Sequence, residues 1–129
     1  MARGPVTTEL ALTRYDRLLG IANRLGKVAA GSVLADEAIH EAVGRLGPVQ
    51  PYTTSEASAR TLLPPGFEWL DITPTAGWIY APCRRAGADA EGLPYPHHGQ
   101  WCQTIPLSLC AGVLRAWAML VRQEEGGRP

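Results

Sequence analysis

The sequence predicts a mixed α/β (α+β) fold: a small antiparallel sheet of three to four strands sandwiched by helices, with an extra N-terminal helix. Three observations predict it. Apolar residues recur at helical 3–4 spacing in four separate stretches. Residues 67–82 switch to short aromatic and β-branched runs around a Pro-Thr-Ala-Gly turn. Gly and Pro punctuate each change of period. A chain of 129 residues fits one folding unit. The expected division is an N-terminal helical extension over 1–30, the sandwich domain over 31–123, and a disordered tail over 124–129.

Thr7 or Thr8 can cap a first helix running over about 8–28. Leu18, Ile21, Ala22, Leu25 and Val28 make its apolar stripe, with Arg14, Arg17 and Arg24 mostly opposite. Gly20 and Gly26 weaken it, at about 1 kcal/mol each relative to Ala. Such a helix gains stability by docking, so Leu18, Ile21 and Leu25 are expected at a homodimer interface. Gly31-Ser32 breaks the chain. Ala35, Ala38, Ile39, Ala42, Val43 and Leu46 form a second stripe, while Asp36, Glu37 and Glu41 face water. Gly47-Pro48 ends that helix.

Thr53 and Glu56 have the spacing of a capping box, and Tyr52 before them can staple onto Ala57. Ala59, Leu62 and Leu63 are the buried face, and Pro64-Pro65-Gly66 stops the helix. Residues 67–73 read as a strand, with Phe67 and Trp69 on one face and Leu70 and Ile72 on the other, so both faces are expected to be buried. A turn over 74–77 leads to a second strand over 78–82. Residues 84–98 have no period and read as a long loop, and 99–104 as a third strand. Thr104 and Pro106 open the last helix, expected over 106–121. Cys110, Val113, Leu114, Trp117, Leu120 and Val121 form its buried face.

Composition narrows the function. Net charge is zero, which argues against non-specific binding to nucleic acid or to an anionic membrane. Of the 12 basic residues 11 are Arg, whose planar fork suits phosphates and carboxylates, although GC-rich coding gives the same bias. Three cysteines, Cys83, Cys102 and Cys110, make no paired disulfide framework. No signal peptide is visible, and no run approaches the roughly 18 apolar residues of a membrane span. A cytoplasmic protein is expected.

Candidate chemistry is sparse. His97, His98, Cys83 and Cys102 are the metal-like residues, but adjacent His side chains point apart and no C-x-x-C accompanies them, so no metal is expected. Cys102 lies four residues after His98, and a small hydrolase built on that pair is one alternative. The carboxylate pairs Asp36/Glu37, Asp89/Glu91 and Glu124/Glu125 read as solvated rather than tuned for acid–base work. There is no Gly-rich phosphate loop and no cofactor motif. The densest group of ligand-capable side chains is Trp69, Trp78, Tyr80, Tyr95, His97, His98 and Trp101 with Arg84 and Arg85 at the same end, and within it Tyr80, Arg84, Arg85, Tyr95, His98 and Trp101 stand out. Aromatic faces stack on bases and Arg pairs with phosphate, so these six are the candidate ligand-binding residues. Core packing of the large aromatics is the competing reading.

The segments ADEAIHEAVGR (35–45), PYTTSEASARTLLPPGFEW (51–69) and TIPLSLCAGVLRAWA (104–118) resemble small phage and prophage proteins described as αβα ("ABA") sandwiches. The resemblance covers roughly residues 35–117; the first helix and the loop over 84–98 depart from it. It implies the sandwich fold and supplies no catalytic residues. It also suggests a phage-encoded, non-enzymatic anti-defence protein in the bacterial host cytoplasm. One form sequesters a nucleotide-type immune signal, a cyclic nucleotide or cyclised ADP-ribose. Arg84 and Arg85 would then hold phosphate, and Tyr80, Tyr95 or Trp101 would stack on a base. The alternative is an anti-CRISPR-like inhibitor that binds a host defence protein. A virion structural component is a further class. Mimicry of DNA is disfavoured by the neutral charge.

Overall fold

The computed structural model describes residues 13–87 and 96–126. Its elements are α1 (Arg14–Leu25), α2 (Val33–Val43), α3 (Glu56–Arg60), β1 (Phe67–Trp69), β2 (Thr73–Thr75), β3 (Trp78–Tyr80), β4 (Cys83–Arg85), β5 (Trp101–Cys102) and α4 (Ile105–Gly126). The class is mixed α+β with antiparallel strands. These form two small sheets, β1-β4 and β2-β3-β5, rather than one.

α4 is the central element. Leu107, Leu109, Cys110, Ala111, Val113 and Leu114 are all buried, and together they point around most of the helix. A helix apolar on nearly every side must be surrounded. α1 packs most extensively on it, α3 covers another side, and β3, β4 and β5 lie across a third. The stretch Ile105–Glu124 is long and apolar enough to cross a membrane, contrary to the sequence expectation, but 61% of its most apolar window is buried inside the fold. Gly112 lets the strands approach closely: a Cβ there would sit 3.0 Å from the His98 carbonyl and 3.1 Å from that of Ala81. The helix begins behind Thr104, whose hydroxyl accepts from the Leu107 N–H at 3.3 Å. It runs to Gly126, so residues 124–126, expected in a disordered tail, are helical; 127–129 lie outside the described residues.

α1 is capped by Thr13, whose hydroxyl accepts from the Asp16 N–H at 3.0 Å. A cap at Thr7 or Thr8 lies outside the described residues. Leu18, Ile21, Ala22 and Leu25 are all at most 3% exposed and belong to the core shared with α4. The predicted stripe is therefore real, but its partner is the chain's own last helix. Leu18, Ile21 and Leu25, expected at a dimer interface, are each at most 3% exposed within the single chain. α1 shares the main core with α4.

α2 is capped by Ser32 and stops at Gly44, earlier than predicted. Gly44 takes φ +82° and its N–H returns to the carbonyls of His40 and Glu41, a left-handed C-cap that glycine adopts without strain. Leu46 consequently leaves the stripe and is 95% exposed. Arg14 secures the same end by donating to the carbonyls of Ala42 at 2.9 Å and Val43 at 2.8 Å.

α3 is capped by Ser55, which accepts from the Ser58 N–H, not by Thr53. Thr53 is diverted to Asp36, which is buried rather than facing water. α3 lies on α4 and reaches the sheet through Arg60, 5.5 Å from the centre of the Trp69 ring.

The predicted strand over 67–73 is two strands. β1 pairs with β4 (Glu68 opposite Arg84, Trp69 opposite Cys83), and β2 pairs with β3 (Thr73 opposite Tyr80, Thr75 opposite Trp78). Between them the Leu70 N–H donates to the Pro82 carbonyl at 2.9 Å. Ala76 (φ +49°) and Gly77 (φ +85°) make the two-residue turn, the sign pattern that matches strand twist. β5 joins β3 with Tyr80 opposite Trp101. Cys83 and His98 form a separate bridge, so Arg84 and Arg85 lie in a strand rather than in the predicted loop. β2 is exposed along its length, and the outer face of the three-stranded sheet is not covered as expected.

Candidate ligand-binding site

Side chains alternate across a strand, so the register fixes which candidates can meet. Ile79 and Cys102 are opposite each other, and Cys102 is buried. Trp78, Tyr80 and Trp101 therefore share the other, outer face. Tyr80 and Trp101 have ring centres 5.2 Å apart, tilted by 34°. Trp78 and Trp101 are 41% and 44% exposed, unusual for the two largest side chains in a small sheet. Glycine sets the Tyr80 ring: a Cβ on Gly99 would fall 2.8 Å from it, so the ring lies against bare backbone.

Where the two sheets meet, an open concavity of about 510 Å³ is lined by Trp69, Asp71, Tyr80, Arg84 and His97, with Glu68 at Arg84's side. Its size falls within the roughly 300–1,000 Å³ of small-molecule sites. The Arg84 Nε donates to Glu68 Oε2 at 2.9 Å across the β1–β4 pair. Trp78 and Trp101 border a second, apolar depression with Gly26, Thr75 and Ala76.

The five predicted ligand residues that are described do not form one site. Tyr80 and Trp101 touch, and Arg84 shares the concavity with Tyr80. Arg85, one residue on, points to the opposite side, where it lines a hollow of about 200 Å³ with Phe67, His98 and Met119. Adjacent strand residues cannot clamp one phosphate from opposite faces, which corrects the pairing of the two arginines. His98 packs on Phe67, with ring centres 6.0 Å apart. Burial, and then the neighbouring His97, lower its pKa and favour the neutral ring. Tyr95 lies outside the described residues.

The thiols are poorly placed for nucleophilic work. Burial pushes Cys83 up to about 12. Burial raises Cys102 too, against the opposing pull of its Gln100 hydrogen bond and Arg115. Cys110 is raised chiefly by burial, and its Sγ donates to the Tyr52 carbonyl at 3.2 Å. A reactive cysteine needs the reverse, a stabilised thiolate open to substrate. Among the described residues no hydrogen bond joins His98 to Cys102, and no three His, Cys, Asp or Glu side chains gather as a metal site.

Sequence reasoning named Trp69 and His97 among the ligand-capable groups but missed Glu68 and Asp71 as lining residues, and it missed the anchor of β5. Gln100 donates through Nε2 to the Ala22 carbonyl at 2.5 Å and accepts through Oε1 from Arg115 Nε at 2.9 Å. Arg115 also donates to Asn23 Oδ1 at 2.7 Å. The strand carrying Trp101 is thus tied to α1 and α4. Alternation along 67–69 and 83–85 could have paired Glu68 with Arg84; nothing local marks Gln100.

No family model, curated protein or solved structure matches this chain significantly. The likeness to small phage proteins rests on the quoted motifs alone.

Proposed function

We propose that the protein is a non-enzymatic binding protein that sequesters a nucleotide-type ligand on the aromatic face of its three-stranded sheet. In the phage setting suggested by the sequence motifs, it would neutralise a host immune signal in the bacterial cytoplasm. The observation that carries the reading is the Tyr80–Trp101 pair, solvent-accessible and held from behind, beside the concavity that contains Arg84. A base stacks on the rings, a contact worth about 1–3 kcal/mol per base. Arg84 takes the phosphate side; Arg85 does not take part. The high pKa of the buried thiols supports binding over covalent catalysis.

The test is calorimetry against cyclic mono- and dinucleotides and cyclised ADP-ribose, followed by heat release and analysis of the ligand. Saturable binding with intact ligand recovered supports sequestration, and altered ligand identifies an enzyme. Tyr80→Ala and Arg84→Ala should each weaken binding, with Arg85→Ala at the wild-type value.

A second reading is a protein–protein inhibitor of a defence complex. It is favoured by the exposed Trp78 and Trp101, since tryptophan dominates binding hot spots. Absence of nucleotide binding, with a defence subunit retained by wild type and lost with Trp78→Ala, would establish it.

A further inference from the structure

We infer that the concavity selects a guanine-type base, with Asp71 as the specificity-determining residue; the inference rests on the nucleotide-binding reading above. Three chemical features converge on it. Trp69 and Tyr80 supply ring surface to the space between the sheets, so a planar ring system fits. The Arg84 Nε donates to Glu68 at 2.9 Å, which fixes the guanidinium at the phosphate end of the concavity. Asp71 lines the same space, lies on the surface, and has no hydrogen-bond or ion-pair partner among the described residues. Its charge opposes a phosphate beside it and favours hydrogen-bond donors.

An ionised carboxylate only accepts hydrogen bonds, and its two oxygens can take two parallel donors. The Watson–Crick edge of guanine offers such a pair, the ring N1–H and the exocyclic amino group. Adenine places a lone-pair nitrogen where the first donor would be, so a carboxylate meets one donor and one repelling acceptor. Hypoxanthine keeps the ring N–H and lacks the amino group. Tyr80, fixed over Gly99, holds the base plane while Asp71 reads its edge.

The test uses the full chain and three ligands with the same sugar and phosphate: GMP, IMP and AMP, measured by calorimetry. GMP should bind at least about tenfold tighter than AMP, the size expected for hydrogen bonds to a charged group, with IMP between them. Asp71→Asn replaces one acceptor with a donor and suits adenine, so the GMP:AMP ratio should fall to unity or below. Because Asp71 is on the surface, the variant should melt with wild type. Tyr80→Ala should weaken all three ligands together. Equal affinity for GMP and AMP, or a ratio unchanged in Asp71→Asn, overturns the guanine assignment and leaves the nucleotide reading standing. No binding of any of the three, or of the cyclic panel, overturns both.

Discussion

Asp36 and Thr53 are joined twice. Asp36 Oδ1 accepts from the Thr53 N–H at 2.8 Å and from its hydroxyl at 2.7 Å, and both residues are at most 5% exposed. Thr53 in turn accepts from the Ser32 N–H at 3.0 Å. The start of α2 is thereby fastened to the turn before α3. Asp36→Ala leaves buried donors unmatched and should cost about 2–4 kcal/mol in urea denaturation. In a double-mutant cycle with Thr53→Ala, the pair should show coupling of about 1 kcal/mol or more.

Two glycines should respond to alanine with opposite signs. Gly31→Ala would put a Cβ 2.3 Å from both the carbonyl and the hydroxyl oxygen of Thr53, so the joint must open; the variant should lose several degrees in Tm. Gly20 sits inside α1, where the nearest atom to a new Cβ is Arg24 Nη1 at 4.0 Å. Gly20→Ala should therefore stabilise the protein by about 0.5–1 kcal/mol.

Leu18→Ala should destabilise the folded chain by about 3–5 kcal/mol, the cost of a cavity at a fully enclosed leucine. Leu18→Asp should prevent folding. A dimer weakened with its fold intact, as the sequence alone suggested, would contradict the packing of α1 on α4.

Thiol chemistry gives a prediction with a definite sign. Cys83 is held protonated in the fold up to about 12, against 9.0 for the ordinary thiol. Between those values the unfolded chain has lost a proton that the native state keeps. Stability from this group is complete below about pH 9 and falls by about 1.4 kcal/mol per pH unit as the pH rises toward 12. Cys83→Ala should flatten that alkaline slope in pH-dependent denaturation. At pH 8, a chromogenic disulfide reagent should label none of the three cysteines in the native protein and all three in urea.

Gly99→Ala should displace the Tyr80 ring. Nucleotide affinity should drop about as far as in Tyr80→Ala, and near-ultraviolet circular dichroism should report the altered Tyr80–Trp101 pair.

The helices were legible because each carries its own 3–4 stripe and its own stop signal. The exceptions have local causes. Gly44 closes α2 a turn before Gly47 because its N–H can satisfy the free carbonyls there. Thr53 had the spacing of an N-cap, yet a buried carboxylate 17 residues earlier recruits it. The strands were legible in composition but not in arrangement. The break at 70–72, which creates the concavity, depends on the Leu70–Pro82 hydrogen bond and on no residue that stands out in sequence. Tyr80 and Trp101 were identified as candidates from residue type, but only the register showed that they meet. Arg85 and His98 were assigned to the same group because sequence proximity hides the alternation that sends them to the other side.

The central position of α4 has a consequence for how the protein reaches this shape. On the ribosome, α1 emerges first and α4 last among these elements. The Ala22 carbonyl waits for Gln100, Asn23 waits for Arg115, and the Tyr52 carbonyl waits for Cys110. The leucines of α1 have no α4 to pack against until that last element has been made. Contacts so distant in sequence slow folding and lengthen the exposure of apolar surface. The faces of α1 and of the turn before α3 are thus closed only when α4 packs between them.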